Sequence, residues 1–145
     1  MRILVVEDVG FVRHNMERLL TQHNHSVVGT LSGEKALETL QSDHKIEVVI
    51  TGLFMSGMGG IDLFKEAQLI QCIDDSGRPT GPDFILTTTT ERSSADSKKT
   101  AMVQQALDIG FVDVLLKPID SAQLIARLRQ IEISRNVGGE NEQNP

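Results

Sequence analysis

Ile46-Glu47-Val48-Val49-Ile50-Thr51-Gly52-Leu53-Phe54-Met55-Ser56-Gly57-Met58-Gly59-Gly60 is the stretch on which the fold turns. It opens as a short apolar run of β-branched residues, without the alternation of a half-buried strand. It then breaks into a loop rich in glycine and resumes at Ile61 with helical spacing. A continuous apolar strand followed directly by a helix is the pattern of a parallel sheet covered on both faces.

Outward from that stretch the same unit recurs. Ile3 to Val6 is a buried-strand run, and the segment Phe11 to Gln22 carries Val12, Met16, Leu19 and Leu20 on one helical face. Ser26 to Gly29 is a short second strand. Ser32 is a suitable N-cap for a helix over Gly33 to Gln41, with Ala36, Leu37 and Leu40 turned inward. Glu47 to Thr51 is the third strand, and Leu63, Phe64, Ala67 and Ile70 mark the helix after it. Phe84 to Thr87 and Val112 to Leu116 read as the fourth and fifth strands. A helix over Ala101 to Ile109 lies between them, with Gly110 placed to stop it. Asp120 or Ser121 caps a last helix with Leu124, Ile125, Leu128 and Ile131 inside. Five such units predict an α/β, doubly wound, five-stranded parallel sheet of flavodoxin-like order 2-1-3-4-5, helices on both faces, with right-handed crossovers.

Two polar loops stand out, Asp74 to Asp83 before the fourth strand and Thr88 to Thr100 after it. Residues 134–145 lack apolar periodicity and read as a flexible tail or linker stub, which gives one domain over 1–133. At 145 residues and 39% hydrophobic content, a single core burying roughly 68–70% of the unfolded surface is expected. A net charge of −6 opposes direct contact with nucleic-acid phosphates. The absence of Trp and Tyr removes the usual stacking platforms for single strands. One cysteine, Cys72, excludes an intramolecular disulfide and fits a reducing cytoplasm, and its position suggests packing at a helix end. No run reaches the ~18 apolar residues of a membrane helix, and no signal-peptide pattern opens the chain.

In an open doubly wound sheet, ligands bind beyond the carboxyl ends of the strands, where strand order reverses. Glu7 and Asp8 end the first strand, Gly52 the third, Thr87 the fourth and Lys117 the fifth, followed by Pro118. With this strand order, Asp8 and Gly52 are expected to face each other. Together the set resembles the site of response-regulator receiver domains, over roughly residues 1–133. The resemblance implies that Glu7 and Asp8 help to hold magnesium and that the Phe54 backbone carbonyl completes the metal site. It implies that Thr87 supplies the hydroxyl that bonds a phosphoryl group, that Lys117 contacts its oxygens, and that the Lys117–Pro118 bond is cis. It places the phosphoacceptor aspartate at residue 52, where this chain has glycine.

Other positions depart as well. Ser56 stands where the family's loop has proline, Gly59 where aspartate is common, and Val114 where the fifth strand often carries Tyr or Phe. The resemblance therefore implies a two-component or phosphorelay signalling protein of the pseudo-receiver kind, not an enzyme. It would need no cofactor, with magnesium bound weakly or not at all because one carboxylate is missing. Its partner would be a histidine kinase, a phosphotransfer protein or an output protein. The contact would run through the last two helices and the fifth strand, a homodimer being one arrangement of that surface. The site residues read more simply too: Glu7 and Asp8 as an acidic turn, Lys117 as their ion-pair partner, Thr87 as a strand-end hydroxyl.

Three alternatives stay open on the sequence. A receiver using another acceptor is one, and Thr51 is the obvious substitute, although strand alternation turns it away from the position of Gly52. A small flavodoxin-like enzyme is another, but Gly10 stands where an aspartyl hydrolase needs a second carboxylate. A flavin or nucleotide binder is the third, and Val9-Gly10-Phe11 offers no hydroxyl-rich phosphate loop. His14, His23, His25 and His44 show no metal-ligand spacing and are expected at the surface.

Overall fold

The computed structural model describes residues 1–70, 72–73, 79–89 and 96–143. Its elements in chain order are β1 (Arg2–Val6), α1 (Gly10–Gln22), β2 (Ser26–Thr30), α2 (Gly33–Ser42), β3 (Val48–Gly52), α3 (Gly60–Ala67), β4 (Cys72–Ile73), β5 (Pro79–Thr80), β6 (Asp83–Thr89), α4 (Asp96–Ile109), β7 (Asp113–Lys117) and α5 (Ser121–Gln143). The main sheet has five strands in the order β2-β1-β3-β6-β7, every pairing parallel. This is the flavodoxin-like order 2-1-3-4-5 once the small β4–β5 pair is set aside.

Strand alternation divides the interior in two. Leu4, Val6, Val49, Phe84 and Leu86 face α2, α3 and α4, where Ala36, Leu40, Leu63, Phe64 and Ala106 cover them. Ile3, Val5, Val48, Ile50, Ile85 and Leu115 face α1 and α5, against Met16, Leu20, Leu124, Leu128 and Ile131. Phe64, Phe84 and Phe111 form an aromatic cluster in the first compartment, with centroids 5.0 to 5.6 Å apart. Such pairs add about 0.5–1.5 kcal/mol each beyond their area.

The caps follow the sequence. Ser32 Oγ accepts the Lys35 N–H at 3.2 Å, and Asp120 rather than Ser121 caps α5 by accepting from Gln123 N at 3.1 Å. Gly110 ends α4 with φ of +132°, a conformation that excludes a side chain at low cost. α3 stops at Ala67, short of the expected Ile70, because Leu69 and Ile70 switch to tighter bonds onto Glu66 and Ala67.

Three expectations are corrected. The stretch before β6 is not all loop: Cys72–Ile73 and Pro79–Thr80 pair antiparallel, so Cys72 lies in a strand rather than at a helix end. Residues 74–78 of that segment lie outside the described residues. The polar stretch 88–100 is shared between the end of β6 and the first turn of α4, with 90–95 outside the described residues. The tail expected from residue 134 is helical through Gln143, because each added residue of a formed helix costs little once the nucleus exists. Among the described residues no helix is long and apolar enough to cross a membrane.

Candidate functional site

The carboxyl ends of β1, β3, β6 and β7 bring together four of the residues marked in the sequence. Glu7 continues β1 by donating its N–H to the Thr30 carbonyl at 3.0 Å. It therefore keeps the parity of Ile3 and Val5. Gly52 shares the parity of Val48 and Ile50, Thr87 that of Ile85, and Lys117 that of Leu115. Gly52 is paired with Thr87 across the β3–β6 ladder. One side of the sheet thus presents a carboxylate, a bare backbone position, a hydroxyl and an ammonium.

The carboxylate is spent on the ammonium. Lys117 Nζ donates to Glu7 Oε1 at 3.0 Å and to Oε2 at 3.1 Å. Glu7 is 3% exposed, and burial without a charged partner would be costly for it. Arg13, one turn into α1, donates to the Glu7 carbonyl at 2.7 Å and holds the strand end from the other side. Asp8, the next residue, points to solvent. The expected facing of Asp8 and Gly52 is therefore corrected: parity gives that place to Glu7. A Cβ built on Gly52 would lie 3.8 Å from Glu7 Oε2, 3.6 Å from the Phe54 carbonyl oxygen and 3.6 Å from Met55 Cγ. These are ordinary contacts, and the backbone at residue 52 does not itself demand glycine.

The glycines that the backbone does demand come later in the loop, beginning with Gly57 at φ of +81°. A Cβ on Gly59 would meet the Leu53 carbonyl at 2.7 Å, and one on Gly60 the Gly52 carbonyl at 2.4 Å. Their bareness lets α3 start against the end of β3. The loop between them is fastened to α2: the Glu34 carboxylate accepts the Met58 N–H at 2.9 Å, and that bond first of all holds its carboxyl below the usual range. Sequence reading missed both Glu34 and Arg13. Neither lies at a strand end, and only the partner brought by the fold gives them a role.

Thr87 is buried, and its carbonyl accepts from Leu53 N at 3.1 Å, which joins β6 to the loop after β3. Thr51 is fully buried on the opposite face, with its hydroxyl donating to the Gly52 carbonyl at 3.2 Å. Phe54 is 61% exposed and Pro118 is exposed after a cis Lys117–Pro118 bond. Of the histidines, His14 pairs with Glu17, and His23 and His44 bond backbone carbonyls. His25 is a correction: it is half-buried against the Met1 ammonium at 3.0 Å, and burial before all else lowers its pKa.

The residues present do not fit a tight magnesium site. Both Glu7 oxygens face the Lys117 ammonium, and residue 52 contributes no carboxylate. Asp8, after the end of β1, is exposed to solvent. Among the described residues no group of three or more His, Cys, Asp or Glu side chains gathers in a way that could hold a metal.

The family model of the response regulator receiver domain matches residues 3–129. The chain belongs to that family. This receiver is 29% identical over 130 residues to the response regulator MprA of Mycolicibacterium vanbaalenii, covering 90% of this chain and 49% of that one. It is 29% identical over 134 residues to the sensory/regulatory protein RpfC of Xanthomonas campestris, covering 92% of this chain and 17% of that one. The receiver therefore spans about half or less of the length of these relatives. Among solved structures, the receiver domain of the hybrid histidine kinase CckA superposes with a TM-score of 0.66 at 25% identity, covering 90% of this chain and 98% of that one. Domains of this family work in two-component signalling.

Proposed function

We propose that this receiver signals by protein contact and accepts no phosphoryl group at residue 52. The observation that carries the reading is the closed pair of Glu7 and Lys117 beside a Gly52 that has room for a side chain and lacks one. A phosphoacceptor needs a carboxylate that can attack the phosphoryl donor, and a metal to neutralise the charge that develops. Residue 52 supplies no nucleophile. Glu7 and Asp8 with the Phe54 carbonyl form at most a weak magnesium site, and Lys117 is neutralised within the fold. Thr87 and Pro118 then serve the fold rather than a switch. Thr51 is a poor substitute acceptor, since its hydroxyl faces the α3 side and is bonded to Gly52.

The partner in this reading is a histidine kinase, a phosphotransfer protein or an output protein. The contact surface comprises α4, β7 and α5, where Leu107 and Leu116 are 41% and 52% exposed. A homodimer through the same surface fits it equally. The role is regulatory binding, not enzymatic turnover.

The test is intact-mass analysis after incubation with a small acyl-phosphate donor and magnesium, beside Gly52→Asp. The expected outcome is a phosphoryl adduct on Gly52→Asp alone. An adduct on the native chain overturns the reading and points to another acceptor.

A further inference from the structure

At the amino ends of β1, β3 and β6, away from the strand ends that carry Glu7 and Lys117, lies a cleft of about 730 Å³. Small-molecule sites span roughly 300–1,000 Å³. The floor is apolar: Leu40 of α2, Ile46 and Ala67 of α3 are buried, and Ile70 is half-buried against the same core. The two additions to a plain five-unit fold both reach this cleft. Thr80 comes from the β4–β5 pair, and Arg135 from the part of α5 beyond residue 133.

Two guanidinium groups decide the chemistry of the ligand. Arg2 and Arg135 line the cleft with side chains only 34% and 31% exposed, and both stay charged across the physiological range. Arg2 donates from Nε to Asp43 at 2.6 Å and from Nη1 to Ser26 at 2.7 Å. Arg135 donates from Nη1 to the Gly81 carbonyl at 3.4 Å and to Asp83 at 3.0 Å. These bonds hold both forks in place. Nη2 of each, and Nε of Arg135, bond no described residue. Asp43 in the lining is already satisfied, one oxygen by Arg2 and the other by the Lys45 N–H at 3.1 Å. Arg2, Lys45 and Arg135 outnumber Asp43 and Glu47 there, in a chain whose net charge is −6. Guanidinium and carboxylate match through paired parallel hydrogen bonds, so fixed forks beside an apolar floor suit a molecule with an apolar body and a carboxylate end. We infer that this cleft binds a small amphipathic acid, its body on Leu40, Ile46, Ala67 and Ile70 and its carboxylate on Arg2 and Arg135. The site is separate from the strand-end cluster and does not depend on whether residue 52 is phosphorylated.

The experiment is amide NMR of the isotope-labelled chain at neutral pH, titrated with three probes that share one body: 4-phenylbutyrate, 4-phenylbutanol and 4-phenylbutylammonium. The acid is expected to shift amides around Leu40, Ile46, Ala67 and Ile70. The alcohol should bind about tenfold more weakly, and the ammonium should produce no shift there. Arg135→Gln and Arg2→Gln, each checked for a native amide spectrum, should weaken the acid by about tenfold and leave the alcohol unchanged, which a merely structural role for the arginines would not do. Equal binding of acid and alcohol overturns the proposal, as does a preference for the ammonium. Shifts that map elsewhere, no shifts at millimolar acid, or arginine variants that keep the preference for the acid overturn it as well.

Discussion

At Lys117 a single ammonium carries the electrostatics of the whole strand-end cluster. Its partner Glu7 is 3% exposed, so the pair is asymmetric: the lysine reaches water and the glutamate does not. Removing Lys117 leaves a buried carboxylate uncompensated, which costs more than the pair contributes over an apolar replacement. Lys117→Met is expected to lower stability by about 2–4 kcal/mol, and Lys117→Met with Glu7→Gln by clearly less. Urea unfolding followed by circular dichroism measures this, and equal losses in the two variants would rule out the pair as the cause. The identities of these residues were legible in the sequence because each ends a strand. The choice of Glu7 over Asp8 as the lysine's partner was not argued there. It follows from parity along a strand that runs one residue further than its apolar run.

At the scale of elements, the start of α3 is set tightly against the end of β3. The Gly60 N–H donates to the Leu53 carbonyl at 3.2 Å, and a Cβ at the same residue would sit 2.4 Å from the Gly52 carbonyl. Gly60→Ala must push helix from strand and is expected to cost roughly 2 kcal/mol or more, whereas Gly52→Ala should change stability by less than about 1 kcal/mol. A Gly60→Ala protein as stable as the native one would show that the joint yields freely. The sequence displayed three glycines between residues 57 and 60, interrupted by Met58, and marked them only as a loop. Which of them carry backbone contacts depends on the closeness of helix and strand, a tertiary fact. The same limit explains the β4–β5 pair and the helical continuation to Gln143. Both rest on local backbone bonding that leaves no apolar periodicity to read, while the five sheet strands and the faces of α1, α2 and α5 announce themselves by burial.

For the whole molecule, acid should act in two stages. His25 has a lowered pKa, so its unfolded form takes up a proton first, and stability falls as pH drops from about 6.5. Asp43, held down by the Arg2 hydrogen bond, and Glu34 have depressed carboxyls. Their contribution is present above the ordinary carboxylate range of about 4 and is lost as pH falls through the lower folded values. Arg2→Gln should therefore be less stable than the native chain at neutral pH, with the gap closing below about pH 4. Unfolding midpoints across that range check it, and a gap independent of pH would assign Arg2 a packing role instead. The two interior compartments have a further consequence. A single layer of backbone lies between them, and among the described residues no core side chain belongs to both. Sequence drift can thus rework the packing on the α2–α3–α4 side while the α1–α5 side keeps its shape.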